Sequence, residues 1–116
     1  FHNRVAIDDG FDGMGLGDEA ERLSTILGNK MMMMMGNHGF MTVGDSPAVA
    51  FDLAYHYERG CRTYMTALAS GLELSVLDEA VAEKTAHQWE TYGDAPQRHL
   101  AALRDILDEE EPDYRH

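Results

Sequence analysis

An uninterrupted run of five methionines, residues 31–35, lies between Lys30 and Gly36 and limits the folds that this chain can adopt. Five residues is the length of a strand, and a run without polar alternation is typical of a strand buried on both faces. Methionine by itself is a better helix former than strand former, so this prediction rests on the length and the lack of alternation. A central strand of this kind needs neighbouring strands and a packing layer on each face.

Turn residues and helix caps divide the rest of the chain into short elements. Ser46 can cap the longest predicted helix, and Pro47 suits its first position because that residue needs no N–H donor. The tail after residue 108 is acidic and is predicted to be extended. The pattern predicts strands at residues 3–7 and 40–43, and helices at residues 18–27, 46–70, 78–92 and 96–108.

This order of elements indicates an α/β or α+β fold, in which helices cover a sheet. About three strands are visible in the sequence, which makes a thin sheet with at least one open edge. We therefore expect that the 116 residues are part of a larger domain rather than a whole one.

Charge excludes several classes of partner. The net charge of −12 argues against a general nucleic-acid binder, which needs a basic face to displace counterions from phosphates. It also argues against docking on an anionic membrane, and no apolar segment has the length of a membrane span. The single cysteine, Cys61, fits a reducing cytoplasm; we expect it to be a buried structural thiol.

One histidine is placed like a ligand. His38 lies in the sequence Gly36-Asn37-His38-Gly39, between the methionine strand and the next strand. Flanking glycines let the backbone approach a ligand closely. One imidazole does not make a zinc site, because catalytic sites use three protein ligands and an open position. The remaining histidines do not pair in sequence and are expected to be solvent-exposed: His2, His56, His87, His99 and His116.

Other polar or aromatic groups have simpler interpretations. The loop after the first strand places Asp8, Asp12 and Glu19 at the first, fifth and twelfth positions of a calcium loop. Gly10 occupies its third position, where a ligand is needed, so a solvated loop is the better interpretation. Glu58 is expected in an ion pair. A packing role is expected for Trp89 and Tyr92 in the penultimate helix.

Taken as a set, the Asn-His-Gly turn, the following Thr42-Val43-Gly44 and the helical Tyr57-Glu58-Arg59 resemble the class II aldolase/adducin family. The resemblance covers essentially the whole chain and corresponds to the C-terminal portion of a single domain, residues 1–116. It implies an αβα sandwich with a mostly antiparallel central sheet. It also implies a cytoplasmic homo-oligomer, which is a tetramer in the family.

The resemblance further implies a metal-dependent aldolase or lyase that acts on a small hydroxy-carbonyl or sugar-phosphate substrate. His38 would be one ligand of a divalent metal, zinc first, with iron or manganese as alternatives. The family's His-x-His metal pair, phosphate-binding residues and acidic general base have no counterparts in this chain. We therefore expect the chain to be inactive alone, with its catalytic residues unknown. The alternative is a non-catalytic, adducin-like assembly module.

Overall fold

The structure is a computed structural model that describes residues 1–10, 13 and 16–115. Within these residues the chain forms a small sheet followed by a set of helices. The strands are β1 (Val5–Asp8), β2 (Met32–Met35) and β3 (Gly39–Thr42), and the helices are α1 (Glu19–Leu27), α2 (Pro47–Ala69), α3 (Glu79–Glu90), α4 (Ala95–Glu110) and a closing 3₁₀ turn, Pro112–Arg115.

All of the predicted strands and helices are present, with ends that differ by at most two residues. The prediction of an extended tail was wrong, because the residues after α4 form a 3₁₀ turn. Two polar contacts fold this turn back on α4. The hydroxyl of Tyr114 donates to Oδ1 of Asp108 at 2.6 Å, and Arg115 forms an ion pair with the same carboxylate.

The sheet has the order β1-β2-β3, so the methionine strand is central among the described strands. β1 and β2 are parallel, and α1 supplies the crossover that a parallel pair requires. β2 and β3 are antiparallel and are joined by the turn that contains His38. The described sheet is therefore mixed, and the expectation of a mostly antiparallel sheet is not met by these strands.

Helices lie on opposite faces of the sheet. The register pairs Ala6 with Met33, and residues two apart along a strand share a face, so Asp8 lies on the face of Ala6 and Met33. The carboxylate of Asp8 binds Arg22 of α1, which places α1 on that face. Phe40 lies on the opposite face, and its ring meets that of Tyr57 in α2, with centroids 5.2 Å apart. The chain therefore forms three layers, α1, the sheet and α2.

The core is centred on the methionine strand. Met33 is fully buried and Met32 is 2% exposed. Because neighbouring residues of a strand point to opposite faces, their joint burial confirms the prediction of a strand buried on both sides. Other buried apolar residues lie in β1, α2 and α3: Ala6, Ala48, Tyr57 and Ala86.

The start of α2 is fixed by two local features. The Ser46 hydroxyl accepts a hydrogen bond from the N–H of Val49 at 3.3 Å, as expected for a helix cap. A Cβ at Gly44 would lie 2.8 Å from the backbone nitrogen of Ala50, so only glycine allows this close approach of the loop to the helix. No helix within the described residues is long and apolar enough to cross a membrane.

Candidate functional site

The turn between β2 and β3 holds His38 at one end of the sheet. The N–H of His38 donates to the carbonyl of Met35 at 3.2 Å, and the N–H of Gly36 donates to the carbonyl of Asp8 at 2.7 Å. Asn37 has φ of +60° and Gly39 has φ of +147°. These left-handed conformations favour asparagine and glycine, which explains why they flank the histidine.

His38 is exposed at this turn. The structure thus places it in the tight, glycine-flanked turn that the sequence predicts. Its role as a metal ligand stays a prediction. Among the described residues, one group of three or more histidines, cysteines and carboxylates is close enough to share a metal ion, and His38 is outside it. The described residues therefore do not place a set of three protein ligands around His38.

The group that does converge consists of Asp52, His56 and His99, a set that we call the DHH cluster. Asp52 and His56 lie one turn apart on α2, and His99 comes from α4. Nδ1 of His99 is 2.6 Å from Oδ1 of Asp52, which is a hydrogen-bond distance. Nε2 of His56 is 3.4 Å from the same oxygen. One potential ligand atom from each of the three residues lies within 4.8 Å of the others.

The cluster is partly shielded from solvent. The side chain of Asp52 is 14% exposed and that of His99 is 22% exposed, whereas that of His56 is 41% exposed. Water can therefore reach the cluster from the side of His56. The carboxylate that both imidazoles approach is the most deeply buried member.

Aromatic rings surround the two imidazoles. The ring of Tyr55 meets His99 edge-on, with centroids 4.6 Å apart, and Phe51 lies 5.6 Å from His99. Trp89 of α3 lies 5.4 Å from the His56 ring. These contacts restrict the rotation of both imidazoles, so the cluster is held by packing as well as by its own polar contacts.

The prediction that all five other histidines are solvent-exposed was wrong for His2, His56 and His99, which are half-buried. The sequence contained part of the signal, because Asp52 and His56 are spaced four residues apart, on one face of a helix. The third member is 43 residues further along, and only tertiary packing brings it close. His87 is exposed and near Glu90, at 3.6 Å, as expected for a surface histidine. His116 lies outside the described residues.

The structure confirms some of the remaining sequence interpretations and corrects others. Glu58 forms the expected intrahelical ion pair, with Arg62 at 2.5 Å. Trp89 packs against His56 and Tyr92, with ring centroids 5.4 and 5.9 Å apart, as expected. Both residues are nevertheless largely exposed, at 60% for Trp89 and 64% for Tyr92. Cys61 is half-buried, rather than fully buried as expected.

The acidic loop does not offer its first carboxylate to a cation. Asp8 is 4% exposed, and its two oxygens accept from the Arg22 guanidinium at 2.5 and 3.1 Å. Hydrogen bonds from Arg22, and then from the Gly10 amide, lower the pKa of Asp8 below its ordinary value. Asp12 lies outside the described residues. The paired Asp8 strengthens the interpretation that this is not a calcium loop.

Three comparisons with known proteins bear on the chain. The profile of a family described as "Class II Aldolase and Adducin N-terminal domain" matches residues 1–65, which include the sheet, the His38 turn and most of α2. The chain is also similar to the crystal structure of an aldolase II superfamily protein from Pseudomonas syringae. The TM-score is 0.85 and the identity 33%, over 97% of this chain and 46% of that protein. No curated protein matches the chain.

Proposed function

The chain belongs to the class II aldolase and adducin family, and on this premise we propose that it is part of a metal-dependent aldolase- or lyase-type protein. The substrate class would be a small hydroxy-carbonyl compound or a sugar phosphate. The observation that carries the proposal is the His38 turn. It lies within the matched residues and presents an exposed imidazole at the end of the sheet.

His38 would act as one ligand of a divalent metal, zinc in the first place, with iron or manganese as alternatives. Such an ion polarises a hydroxy-carbonyl unit and stabilises the negative charge left by carbon–carbon cleavage. The chain's contribution is to hold the imidazole. The hydrogen bonds of Gly36 and His38 to neighbouring backbone carbonyls fix the backbone of the turn, and with it the point from which the side chain extends.

We further propose that the chain is the C-terminal portion of an αβα sandwich, whose other ligands and general base lie outside these residues. Two observations support this. β1 and β3 each have one neighbour among the described strands, so both edges can accept further strands. The chain also spans less than half of the similar solved protein. Alone, it would be inactive.

The same reasoning covers partners and location. We propose a cytoplasmic homo-oligomer, with the tetramer of the family as the first model. Large apolar side chains are exposed on the helices and their connections, for example Leu72 at 75% and Val76 at 84%. Exposed apolar surface of this extent commonly marks a contact with another chain. The lone free thiol, Cys61, fits a reducing compartment.

The second candidate function is a non-catalytic, adducin-like assembly module. The observation in its favour is that, among the described residues, the group of three potential metal ligands does not include His38. In that case the protein would function by binding other chains through its exposed apolar side chains.

An activity assay separates the two functions. The longest open reading frame that encodes this chain is expressed with zinc, and the release of carbonyl products from a panel of sugar phosphates is measured. We expect turnover, and we expect His38→Ala to lower kcat by at least about a hundredfold, because it removes a metal ligand. His87→Ala, at an exposed surface position, is the matched control.

Each other outcome has a defined meaning. Turnover that survives His38→Ala would refute the ligand role. The absence of turnover from an oligomer that assembles normally would favour the assembly module. Turnover by the 116 residues alone would refute the proposal that the remaining ligands lie elsewhere.

A further inference from the structure

We propose that the DHH cluster is a second divalent-metal site, which binds zinc between α2 and α4 and is independent of the His38 turn. The inference goes beyond the proposed function, since neither the reaction nor the metal at His38 requires it. It rests on the convergence of Asp52, His56 and His99.

The spacing of the three groups suits a tetrahedral ion. Zinc binds imidazole nitrogen and carboxylate oxygen at about 2.0–2.2 Å, so neighbouring ligand atoms of a tetrahedral site are about 3.4 Å apart. The distance from His56 Nε2 to Asp52 Oδ1 is 3.4 Å. The His99–Asp52 distance of 2.6 Å is that of a hydrogen bond, and a small rotation of the carboxylate would open it. Three protein ligands and one water would complete the coordination.

A structural hydrogen bond between two helices does not account for the whole cluster. The bond from His99 to Asp52 would by itself join α4 to α2. A second imidazole, that of His56, approaches the same carboxylate oxygen from the helix that also carries Asp52. Two imidazole nitrogens beside one half-buried carboxylate oxygen are a typical set of ligand atoms for a metal cation.

The donor types select the class of metal. Two imidazoles and one carboxylate suit zinc and its transition-metal neighbours, whereas calcium and magnesium prefer sites made of oxygen. The rings of Phe51, Tyr55 and Trp89 restrict the imidazoles, so less rotational freedom is lost on binding. The exposed side of His56 gives the ion an entry path.

A metal at this position would join α4 to α2. Residues 52 and 99 are far apart in sequence, and α4 has no buried residue of its own. Since the ion would bind the folded chain and not the unfolded one, it would stabilise the packing of the two helices. The site would thus be structural, in contrast to a catalytic ligand at His38.

The test measures zinc binding by the 116-residue chain after removal of metal, using isothermal titration and thermal unfolding. We expect one zinc per chain, and a rise in the unfolding temperature of about 10 °C when free zinc is a hundredfold above Kd. His99→Gln and His56→Gln should each weaken binding by more than about tenfold and abolish most of that rise. Circular dichroism would check that each variant is folded.

A control variant makes the result specific. His87→Gln, at an exposed histidine outside the cluster, should keep wild-type zinc binding. Loss of binding in His38→Ala, with wild-type binding in His56→Gln and His99→Gln, would overturn the inference and assign the zinc to the turn. Failure of the wild-type chain to bind zinc would also overturn it, and would leave the cluster as a hydrogen-bonded helix contact.

A second pair of variants applies if His99→Gln does not fold. His56→Gln alters the most exposed member of the cluster and leaves the His99–Asp52 contact in place. Asp52→Asn keeps the size of the side chain and removes its charge. Weakened zinc binding by both folded variants supports the site, and unchanged affinity in both refutes it. These results are independent of whether His38 takes part in catalysis.

Discussion

The sheet region, formed by β1, α1, β2 and β3, and the helical region, formed by α2, α3 and α4, bury different kinds of group. The sheet region contains the most deeply buried apolar residues, Met33 and Met32, at 0% and 2% exposure. In the helical region, α4 has no buried residue, and Trp89 and Tyr92 of the α3 end are largely exposed. The contacts between helices include the polar DHH cluster and the aromatic rings around it.

The two regions are therefore stabilised by different forces. Burial of apolar area stabilises the sheet region in a way that depends little on salt. Exposed ion pairs in the helical region contribute little each and weaken as salt rises. We therefore expect the sheet region to unfold last and the helical region to depend on metal, salt or a partner. The following experiments test that contrast.

The largest expected effect is from Met33→Ala in the centre of β2. Truncating a fully buried methionine should lower the free energy of unfolding by about 2–5 kcal/mol, measured by urea denaturation. Met31→Ala is the matched control, because Met31 precedes the strand and is 39% exposed; its effect should be within about 0.5 kcal/mol. Similar losses for both variants would contradict a core centred on the strand.

The second effect concerns the buried ion pair of Asp8 with Arg22. Because the pKa of Asp8 is lowered in the folded state, its contribution to stability is complete above the unfolded-state pKa of about 3.9. It is lost as the pH falls from there through the folded-state pKa. Asp8→Asn should therefore lower the unfolding temperature at neutral pH and reduce its decline in acid.

Thermal unfolding as a function of pH measures this contribution. Asp94→Asn is the control, because Asp94 forms an exposed ion pair with Arg98 at the start of α4. An acid decline in Asp8→Asn as steep as that of the wild type would show that this ion pair does not drive acid unfolding.

A smaller effect is expected where the two regions meet, at the cap of α2. Ser46→Ala removes the acceptor for the Val49 amide and should destabilise the protein by about 1 kcal/mol, as measured in urea. Ser46→Gly should lose only a few tenths of that amount. If Ser46→Ala unfolds only α2 while the sheet persists by hydrogen exchange, the two regions are less cooperative than a single domain.

The smallest effect is expected from Arg4→Gln. Arg4 binds Glu83 at 2.5 Å and Glu90 at 2.7 Å, which joins the residue before β1 to α3 and lowers the pKa of both glutamates. Because this site is exposed, its loss should leave global stability almost unchanged. Faster hydrogen exchange in α3, but not in β2, is the expected result. Faster exchange in both would mean that the helix and the sheet open together.

Sequence patterns were sufficient for the local parts of this fold. Apolar runs, caps and turn residues located the strands and helices, because these signals act between residues close in sequence. The methionine run predicted burial on both faces, and glycines around His38 predicted its turn. The parallel pairing of β1 with β2 was not predicted, because nothing in either strand encodes its direction relative to the other.

The same distinction between local sequence signals and tertiary contacts applies to the candidate sites. His38 could be singled out because its turn is local, and its family motif is contiguous. The DHH cluster could not, because His99 reaches Asp52 only after α4 packs on α2. The Asp8–Arg22 pair was missed for a related reason. Asp8 lies in β1 and Arg22 in α1, 14 residues apart in sequence. That spacing does not indicate how far apart the two side chains lie in space.

The burial of β2 has a consequence for oxidative chemistry. Oxidation of methionine to the sulfoxide adds a polar oxygen and proceeds where the sulfur is accessible. Met65 is 62% exposed and should react early, whereas Met33 is fully buried. A sulfoxide at Met33 would form only in molecules whose sheet had already opened. Peroxide treatment followed by peptide mass spectrometry would therefore make the central strand a chemical record of how often the protein unfolds.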